Sequence, residues 1–297
     1  MEHIIVNHAT MEELTHPNQM FPLSEFIDHF DTFPEGGFPS HWHQELELQI
    51  VLEGSAEYRV NGVSYTVDRG CGIYIAPEAI HQARQLSPGT VGYDVVLSPQ
   101  LLINVMASAH CDQYTLPLTT RRPEAFVITP ERKEGHRILE FLRQMYYTES
   151  SQVTYELFLL EHLIGLWRNL LTLFPTQAAD AETQTLRLRE QRMKTMLDYI
   201  HKNYQDPLTV EDIASAACVS QSECFRCFAE LSRTTPVEYI NQFRLLQASQ
   251  LLITTSQSMA DICYTTGFNN TSYFSKKFKA QYGMSPREYR NQKSRVT

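Results

Sequence analysis

The chain of 297 residues carries 25 Lys and Arg against 34 Asp and Glu, a formal net charge of −9. That length is enough for two domains, and taken by itself the negative charge argues against a nucleic-acid-binding protein. The sequence has no run of about 18 apolar residues and no basic N-terminal segment followed by an apolar core, so we expect neither a transmembrane span nor a signal peptide.

The charge is divided unevenly along the chain. Residues 1–189 contain 12 Lys and Arg against 24 Asp and Glu, whereas residues 190–297 contain 13 against 10. An acidic part joined to a basic one indicates a separate DNA-binding domain at the C-terminal end. Without a signal peptide, the six cysteines are expected to be reduced thiols of a cytoplasmic protein.

Short strands are predicted from residue 38 onward. Polar and apolar residues alternate from His41 to Ile50, which predicts a strand with one polar and one apolar face. Asn61-Gly62 is typical of a two-residue hairpin turn and separates two further strand-like runs. Short strands joined by such turns predict an antiparallel β-barrel or sandwich.

Histidines and carboxylates follow a recognisable spacing in this region. His41-x-His43, three residues, Glu47, six residues and Gly54 resemble the first motif of the cupin family. The second cupin motif is matched more loosely by Pro77 and His81, because the glycine between them is replaced by Ala79 and the interval is shorter. In metal-binding cupins the three histidines and the glutamate of these motifs bind a divalent ion.

Three roles remain open for these polar residues. The favoured one is to line a pocket for a small-molecule effector, with the candidates His41, His43, Glu45, Glu47 and His81. The second is a divalent metal site, for which imidazole and carboxylate ligands are chemically suited, formed by His41, His43, Glu47 and His81. The third is a polar face that meets solvent. A face of this composition would suit a sugar or another hydroxylated molecule, and we expect no catalysis and no resident cofactor.

Helical periodicity replaces the strand pattern after residue 126. Apolar residues recur at helical spacing between 138 and 146, and residues 153–174 predict a strongly apolar helix. One face of this helix would cover the barrel, and the remainder is too apolar for solvent. We therefore expect a homodimer formed through helices within residues 132–174, with burial of both faces inside one chain as the alternative.

Residues 175–190 are small and polar, with no apolar periodicity until Leu186, and are predicted to link two domains. The sequence is accordingly divided into an effector-binding and dimerisation domain (1–174), a linker (175–190) and a DNA-binding domain (191–297).

The C-terminal domain contains an internal repeat. The pentapeptide TPVEY at 235–239 precedes SPREY at 285–289 by fifty residues, and Phe228 precedes Phe278 by the same interval. Each copy, 208–239 and 258–289, has the pattern of a helix, a turn and a second helix. The turn of the second copy contains Gly267, which suits a position that needs positive φ.

Capping residues mark the helix starts within the repeat. Thr209 with Asp212 is predicted to form a capping box, and Ser220 caps the second helix of the first copy. Asn270 or Thr271 is expected to do so in the second copy. Between the copies, a helix of about 17 residues would span roughly 25 Å, which suits two recognition helices held about one DNA turn apart.

The second helix of each copy combines an apolar face with an exposed polar face, as a helix laid in the DNA major groove requires. The base-reading candidates are Gln221, Ser222 and Arg226 in the first copy, and Asn270, Thr271, Ser272 and Lys276 in the second. Other basic residues are expected to contact phosphates or solvent, namely Lys277, Lys279, Arg287 and Arg290.

Cys224 and Cys227 form a CxxC pair on the first recognition helix. This pair is either a redox or metal switch or two small core residues, with Cys224 in the position that Phe274 occupies in the repeat. No second CxxC completes a zinc site, which favours the core interpretation.

The second copy closely resembles the signature of the AraC/XylS transcription regulators. The matching positions are Ile262, Gly267, Phe268, Phe274, Phe278, Lys279, Gly283, Ser285, Pro286, Tyr289 and Arg290. Cys263 stands where the family usually has Ala, and both side chains are small. The resemblance implies two helix-turn-helix units on double-stranded DNA, an N-terminal effector-binding domain, and RNA polymerase as a further partner.

The predicted fold class is α+β with two domains. An N-terminal cupin-like antiparallel β-barrel carries dimerisation helices, and a C-terminal all-α domain carries a double helix-turn-helix. The predicted function is that of a sequence-specific, effector-controlled transcription regulator, with activation as the commoner role in the family. The alternatives are a metal-dependent cupin enzyme fused to a DNA-binding domain and a constitutive DNA-binding protein with a structural barrel.

Overall fold

The computed structural model describes residues 21–108, 110, 112–115, 117–118, 123–174 and 183–293. These residues form two compact units, one of residues 21–30 and 42–174 and the other of residues 31–41 and 183–293. Residues 175–182 of the predicted linker lie outside the described part of the chain. Within the described part, no helix is long and apolar enough to cross a membrane.

Nine strands are formed by the described residues between 23 and 128. They are β1 Leu23–His29, β2 Gly37–His41, β3 Leu46–Glu53, β4 Ser55–Val60, β5 Val63–Asp68, β6 Gly72–Ile75, β7 His81–Gln85, β8 Val91–Leu97 and β9 Ala125–Ile128. All except β2 lie in the first unit. One antiparallel sheet has the order β1-β8-β3-β6-β9, and within the first unit β7, β4 and β5 are adjacent, in that order, in a second sheet.

The predicted hairpin is present at Asn61-Gly62. Both residues have positive φ, 45° and 84°, and Val60 is paired with Val63 across the turn that joins β4 to β5. By contrast, the prediction of one continuous strand from His41 to Ile50 is wrong, because β2 ends at His41 and β3 begins at Leu46. Alternation in composition continues across residues 42–45, but the backbone there leaves the extended ladder.

In the described part of the first unit, the long helices are α1 Pro99–Ser108, α2 Lys133–Tyr147 and α3 Tyr155–Leu173. Apolar side chains of β3, including Leu46 and Leu48, share a core with Ile138 of α2 and Trp167 of α3. Because strand side chains alternate, the other face of β3 presents Glu47 and Gln49 away from this core. The buried face of β3 therefore fixes where its polar residues lie.

The second unit is mostly helical. Its helices are α4 Thr183–Asn203, α5 Val210–Ala216, α6 Gln221–Leu231, α7 Pro236–Thr254, α8 Met259–Thr265, α9 Thr271–Tyr282 and α10 Pro286–Lys293. Residues 183–190 of the predicted linker are thus the first turns of α4. The connecting helix α7 has 19 residues, close to the predicted 17.

The predicted capping residues begin the helices of the repeat. Thr209 and Asp212 form a capping box at α5, and Ser220 accepts a hydrogen bond from the Glu223 backbone N–H at α6. Asn270, rather than Thr271, caps α9. The apolar faces of the second copy meet in one core that contains Ile262 and Phe278, so the two-helix pattern expected from the repeat is confirmed.

Candidate functional site

The base-reading candidates lie at the exposed ends and faces of α6 and α9. All seven predicted side chains are exposed: Gln221, Ser222, Arg226, Asn270, Thr271, Ser272 and Lys276. Their helices are braced from behind by buried residues such as Phe228 and Phe274. Each helix therefore presents a polar face from a rigid support, which is the arrangement that major-groove readout needs.

On α6, a carboxylate accompanies the predicted base reader. Glu223 Oε2 is paired with Arg226 Nη2, three residues further along the helix. Glu223 Oε1 lies 3.3 Å from Arg192 Nη1 on α4. The hydrogen bond from Arg226 lowers the pKa of Glu223, so this carboxylate is ionised at neutral pH. Glu223 was not among the residues to which the sequence analysis gave a role.

On α9, one of the candidates also has a structural task. The Asn270 Oδ1 atom accepts a hydrogen bond of 2.9 Å from the Tyr273 backbone N–H, which satisfies a free donor of the first helical turn. Its side-chain NH₂ group is on an exposed residue and can still donate to DNA. Lys277 Nζ lies 5.7 Å from the centre of the Tyr273 ring. Thr271, Ser272 and Lys276 are exposed on the same helix.

In the first unit, Glu47 lies between two histidines. Its Oε2 atom is 3.0 Å from His81 Nε2 and 3.4 Å from His43 Nε2, and all three side chains are buried. Burial lowers the pKa of His43, a direction that the hydrogen bond to Glu47 opposes. The structure therefore brings together three of the predicted effector or metal residues in a protected environment.

Backbone contacts set the orientation of these two imidazoles. His81 Nδ1 lies 2.8 Å from the Ala79 carbonyl oxygen, and His43 Nδ1 lies 3.2 Å from the Glu45 carbonyl oxygen. A carbonyl oxygen only accepts, so both Nδ1 atoms carry hydrogen. In a neutral ring the lone pair is then on Nε2, the atom that faces Glu47, so His43 can donate to the Glu47 carboxylate only when its ring is doubly protonated. Such backbone contacts are typical of histidines held ready to bind a cation.

The other two predicted effector residues occupy different positions. His41 is the last residue of β2, in the second unit, and is buried with its Nδ1 atom 3.1 Å from the Pro39 carbonyl oxygen. Glu45 belongs to the irregular segment before β3, and its Oε2 atom lies 3.6 Å from His43 Nδ1. The Glu45 side chain is 14% exposed, whereas that of Glu47 is 1% exposed.

Further polar residues join Glu47 on the face of the sheet opposite the helices. Gln49 Nε2 donates to Asp28 Oδ2 at 2.8 Å, and Asp94 is fully buried on β8. Burial, and next the charge of Glu47, raise the pKa of Asp94 well above its usual value. Burial, followed by the charges of these carboxylates, also raises the pKa of Tyr58 on β4. The first unit therefore encloses a cluster of buried polar groups around Glu47.

Sequence reasoning missed Asp28, Tyr58 and Asp94. The signal for Asp94 was available, because it is the one charged residue in the apolar run 91–97, and a buried charge in such a strand usually has a specific task. Asp28 and Tyr58 gave no comparable signal. Their proximity to Glu47 depends on the strand register.

The donor set around Glu47 fits a divalent transition metal. Two imidazole Nε2 atoms lie within 3.4 Å of one carboxylate oxygen, Glu47 Oε2, and these ligand types suit Zn, Fe, Mn or Ni. When bound, such an ion could act as a Lewis acid or as a template for a ligand. His43, Glu47 and His81 are the residues of this unit that would hold it.

Comparison with family models gives two matches. A helix-turn-helix domain model matches residues 213–292, which span α5 to α10. A cupin domain model matches residues 29–96, which contain most of the polar cluster around Glu47. The two segments are the ones in which the candidate residues lie.

Curated relatives match over most of the chain. An HTH-type transcriptional regulator, YdeC of Bacillus subtilis strain 168, is 26% identical over 298 residues, covering 99% of this chain and 100% of its own length. The HTH-type transcriptional activator RhaS of Yersinia pestis strain Pestoides F is 26% identical over 268 residues, covering 87% of this chain and 91% of its own.

Solved structures to which the chain is similar include ToxT from Vibrio cholerae, which is 15% identical with a TM-score of 0.48, covering 91% of this chain and 98% of its own. The DNA-binding domain of AdpA in complex with a target DNA is 27% identical with a TM-score of 0.32, covering 33% of this chain and 87% of its own.

Proposed function

Since this chain belongs to the AraC/XylS family of helix-turn-helix transcription regulators and carries a cupin-like N-terminal domain, we propose that a small molecule bound in that domain controls how it binds DNA. The protein regulates transcription through sequence-specific DNA binding. We further propose an effector, a site for it and a direction of regulation. The observation that carries it is the polar cluster of Glu47, His43 and His81, buried inside a unit separate from the DNA-reading helices.

For DNA, we propose that α6 and α9 enter successive major grooves and read bases with the seven exposed residues named above. Arg226 is suited to a bidentate contact with guanine, and Lys276, fifty residues later in the repeat, reads guanine less sharply. Arg226→Ala is expected to lower affinity for the preferred sequence about tenfold or more, measured by fluorescence anisotropy. Unchanged affinity and sequence preference would contradict the role of α6.

For the effector, we propose a site in the first unit formed by His43, Glu45, Glu47 and His81, which are the predicted effector residues other than His41 of the second unit. These residues supply imidazole and carboxylate groups, which form hydrogen bonds with hydroxyl groups, so a sugar or another hydroxylated metabolite is the favoured class. A ligand that binds one conformation of the regulator better shifts the population towards it. The RhaS relatives are named transcriptional activators, which supports activation of transcription as the effect of this regulator.

The test is a thermal-shift screen of the full-length protein with sugars and small metabolites, with metal content measured on the same sample. A rise in melting temperature with one class of metabolite, reduced by Glu47→Gln, is the expected result. Glu57→Gln, on a partly exposed residue of β4 that pairs with Arg84, is the control. No response to any metabolite, together with DNA binding that no metabolite changes, would favour a constitutive regulator.

A divalent cation is the second candidate for this site, because the two Nε2 atoms and the Glu47 carboxylate face one another. This alternative predicts that the purified protein contains metal in stoichiometric amount. It also predicts that a chelator lowers the melting temperature and that His43→Ala removes the metal. Absence of metal from protein purified without chelator would exclude it.

We further propose that the regulator is a homodimer formed through residues 132–174. The support is the outer side of α3, where Leu157 and Ile164 are 67% and 40% exposed, together with Val153 just before the helix. A dimer places two pairs of recognition helices on DNA, which suits a repeated operator site. Contact with RNA polymerase would follow from the proposed role as an activator.

A further inference from the structure

The two recognition helices differ in the charges that they carry. α9 has three lysines and no carboxylate in its sequence, whereas α6 carries Glu223 and Glu230 beside its single Arg226. A carboxylate near the phosphate backbone lowers affinity for any DNA, because binding is dominated by neutralisation of phosphates. The position of Glu223 on a helix that reads DNA therefore needs a physical reason.

The side chain of Glu223 is held from several directions. It is only 16% exposed, with Oε2 paired to Arg226 and Oε1 3.3 Å from Arg192 of α4. Its backbone N–H donates to Ser220 Oγ at 3.2 Å, so the residue is also fixed at the start of the helix. Glu223 is thus anchored to the supporting helix α4 rather than free to swing with solvent.

Arg226 gains its orientation from this anchor. Its side chain is 53% exposed, and an exposed arginine otherwise samples many rotamers that it must give up on binding. A carboxylate that holds one edge of the guanidinium leaves its other donors directed outward. Preorganisation of this kind favours a contact with defined geometry, such as the bidentate contact to guanine, over a general attraction to phosphate.

The second copy of the repeat has a different arrangement. Fifty residues after Glu223 the chain has Tyr273, whose ring lies beneath Lys277, and fifty residues after Arg226 it has Lys276. An ammonium is a point charge on a flexible stem, so it binds phosphate well and specifies a base poorly. The two copies therefore offer different kinds of contact to DNA.

We infer that Glu223 is a positioning residue for sequence readout. It holds Arg226 for guanine, so the first helix-turn-helix makes the sharper discrimination at a guanine, while the lysines of the second add more of the affinity for phosphates to its own base contacts. This inference rests on the proposed base contact of Arg226.

The experiment uses the full-length protein. A consensus duplex is selected from a random library with the wild type, and dissociation constants are measured on it and on a scrambled duplex of equal composition. Glu223→Gln is expected to bind the scrambled duplex more tightly, because a negative charge near the phosphates is removed. It should lower the ratio of consensus to scrambled affinity about tenfold and lose preference at one guanine position.

Glu230→Gln is the matched control, since it removes the same charge from the same helix at a residue paired with Arg189 rather than Arg226. It should strengthen binding to both duplexes equally. In an Arg226→Ala background, Glu223→Gln should leave the ratio unchanged, and all variants should keep the wild-type melting temperature to within about 2 °C.

Two outcomes would overturn the inference. One is a Glu223→Gln protein that keeps the wild-type ratio and guanine preference. The other is an equal loss of the ratio in the Arg226→Ala background, which would mean that Glu223 acts on DNA or on the fold directly. If instead Arg226→Ala alone leaves the guanine preference intact, the proposed base contact itself is wrong, whatever Glu223 does.

Discussion

Gly267 illustrates how much of the second helix-turn-helix depends on a single residue. Its φ is +81°, and a Cβ atom at this position would lie 2.2 Å from the Tyr204 carbonyl oxygen and 2.8 Å from Arg244 Nε. Arg244 Nε donates to that same carbonyl oxygen at 2.7 Å. The turn is therefore closed against the end of α4, and the absence of a side chain is required twice, by the backbone and by its neighbours.

We predict that Gly267→Ala destabilises the helical unit by about 2–4 kcal/mol, through positive φ together with the steric clash. Gly283→Ala is the matched control, because its φ is +73° but nothing lies within 4 Å of the added Cβ. It should cost only about 1 kcal/mol. Urea unfolding followed by circular dichroism at 222 nm measures both. Equal losses for the two variants would contradict the role of the close packing.

The environment of His201 leads to a prediction of how the free energy of unfolding depends on pH. Its ring is stacked on Phe243, with centroids 4.2 Å apart, and its Nε2 atom lies 2.7 Å from the Tyr239 hydroxyl oxygen. That hydroxyl donates to the Ser40 carbonyl oxygen, so His201 supplies the hydrogen in its own contact. Burial lowers the pKa of His201 from 6.5 to about 3, and the folded protein therefore keeps the ring neutral.

Between pH 6.5 and 3, the unfolded chain binds a proton at His201 that the folded protein does not. The contribution of the neutral His201 ring to the free energy of unfolding should therefore be fully present above pH 6.5. It should decrease as pH is lowered, by at most about 1.4 kcal/mol per pH unit. Denaturant titrations between pH 7 and 5 would measure the slope, which should be smaller in His201→Gln. Identical slopes in the two proteins would show that His201 does not contribute.

The structure also bears on the two interpretations of the CxxC pair, as a redox or metal switch or as core residues. Cys224 and Cys227 are both fully buried free thiols. Burial raises the pKa of each to about 11, so at neutral pH they are protonated and poor metal ligands. The interpretation as core residues is favoured over the switch for this physical reason.

Arg290 takes part in packing within the helical unit, which the sequence analysis did not expect. It was predicted to contact phosphate or solvent, and its Nε atom donates to the Leu252 carbonyl oxygen at 3.1 Å, near the C-terminal end of α7. One of the basic residues of the C-terminal part thus serves the packing of α10 against α7. A family signature position can therefore serve packing within the helical unit.

At the scale of elements, α3 combines a buried apolar side with further apolar residues that are exposed. Leu159, Leu163, Leu166, Trp167 and Leu170 are buried in the core of the first unit. Other apolar residues of α3 remain exposed on a helix that already covers the sheet. An exposed apolar stripe of this kind is typical of a partner surface rather than of a solvated helix face.

We predict that Leu157→Glu combined with Ile164→Glu converts the proposed dimer to a monomer, because a charge in a buried interface is costly. Light scattering coupled to size-exclusion chromatography gives the mass directly. Val63→Glu is the control, an apolar residue of β5 that is 54% exposed and lies outside the helices. A double variant with the same mass as the wild type would mean that this face is not the dimer contact.

At the scale of the whole molecule, charge is separated along the chain. Residues 1–189 carry 12 basic against 24 acidic residues, and residues 190–297 carry 13 against 10. The acidic part repels DNA and the basic part attracts it, so the full-length regulator should have little affinity for random DNA at physiological salt. Specific binding then depends on correct base contacts rather than on total charge.

We predict that Lys279→Gln lowers the slope of log affinity against log salt concentration by about 0.9, since one phosphate contact is lost. Affinities for the consensus and scrambled duplexes should fall by the same factor. Lys133→Gln, an exposed lysine on α2 of the first unit, serves as the control and should leave the slope unchanged. An unaltered slope in Lys279→Gln would remove Lys279 from the phosphate contacts.

The sequence by itself determined the helix-turn-helix pair, because local signals there agree with one another. A fifty-residue repeat, capping residues such as Thr209 and Ser220, and a glycine in the turn all act within a few residues of where they stand. The same is true of the Asn61-Gly62 hairpin. The family resemblance and the exposed base-reading candidates follow from these local patterns.

Only the tertiary structure decided which polar groups meet inside the sheets and which residues restrain Arg226. Asp28, Tyr58 and Asp94 join Glu47 through pairing and packing of strands far apart in sequence, which no local period reports. Arg192 reaches Glu223 because α4 packs beside α6. Alternation around His41 suggested one strand where there are two, since hydrophobic pattern measures burial and hydrogen bonding decides where the ladder ends.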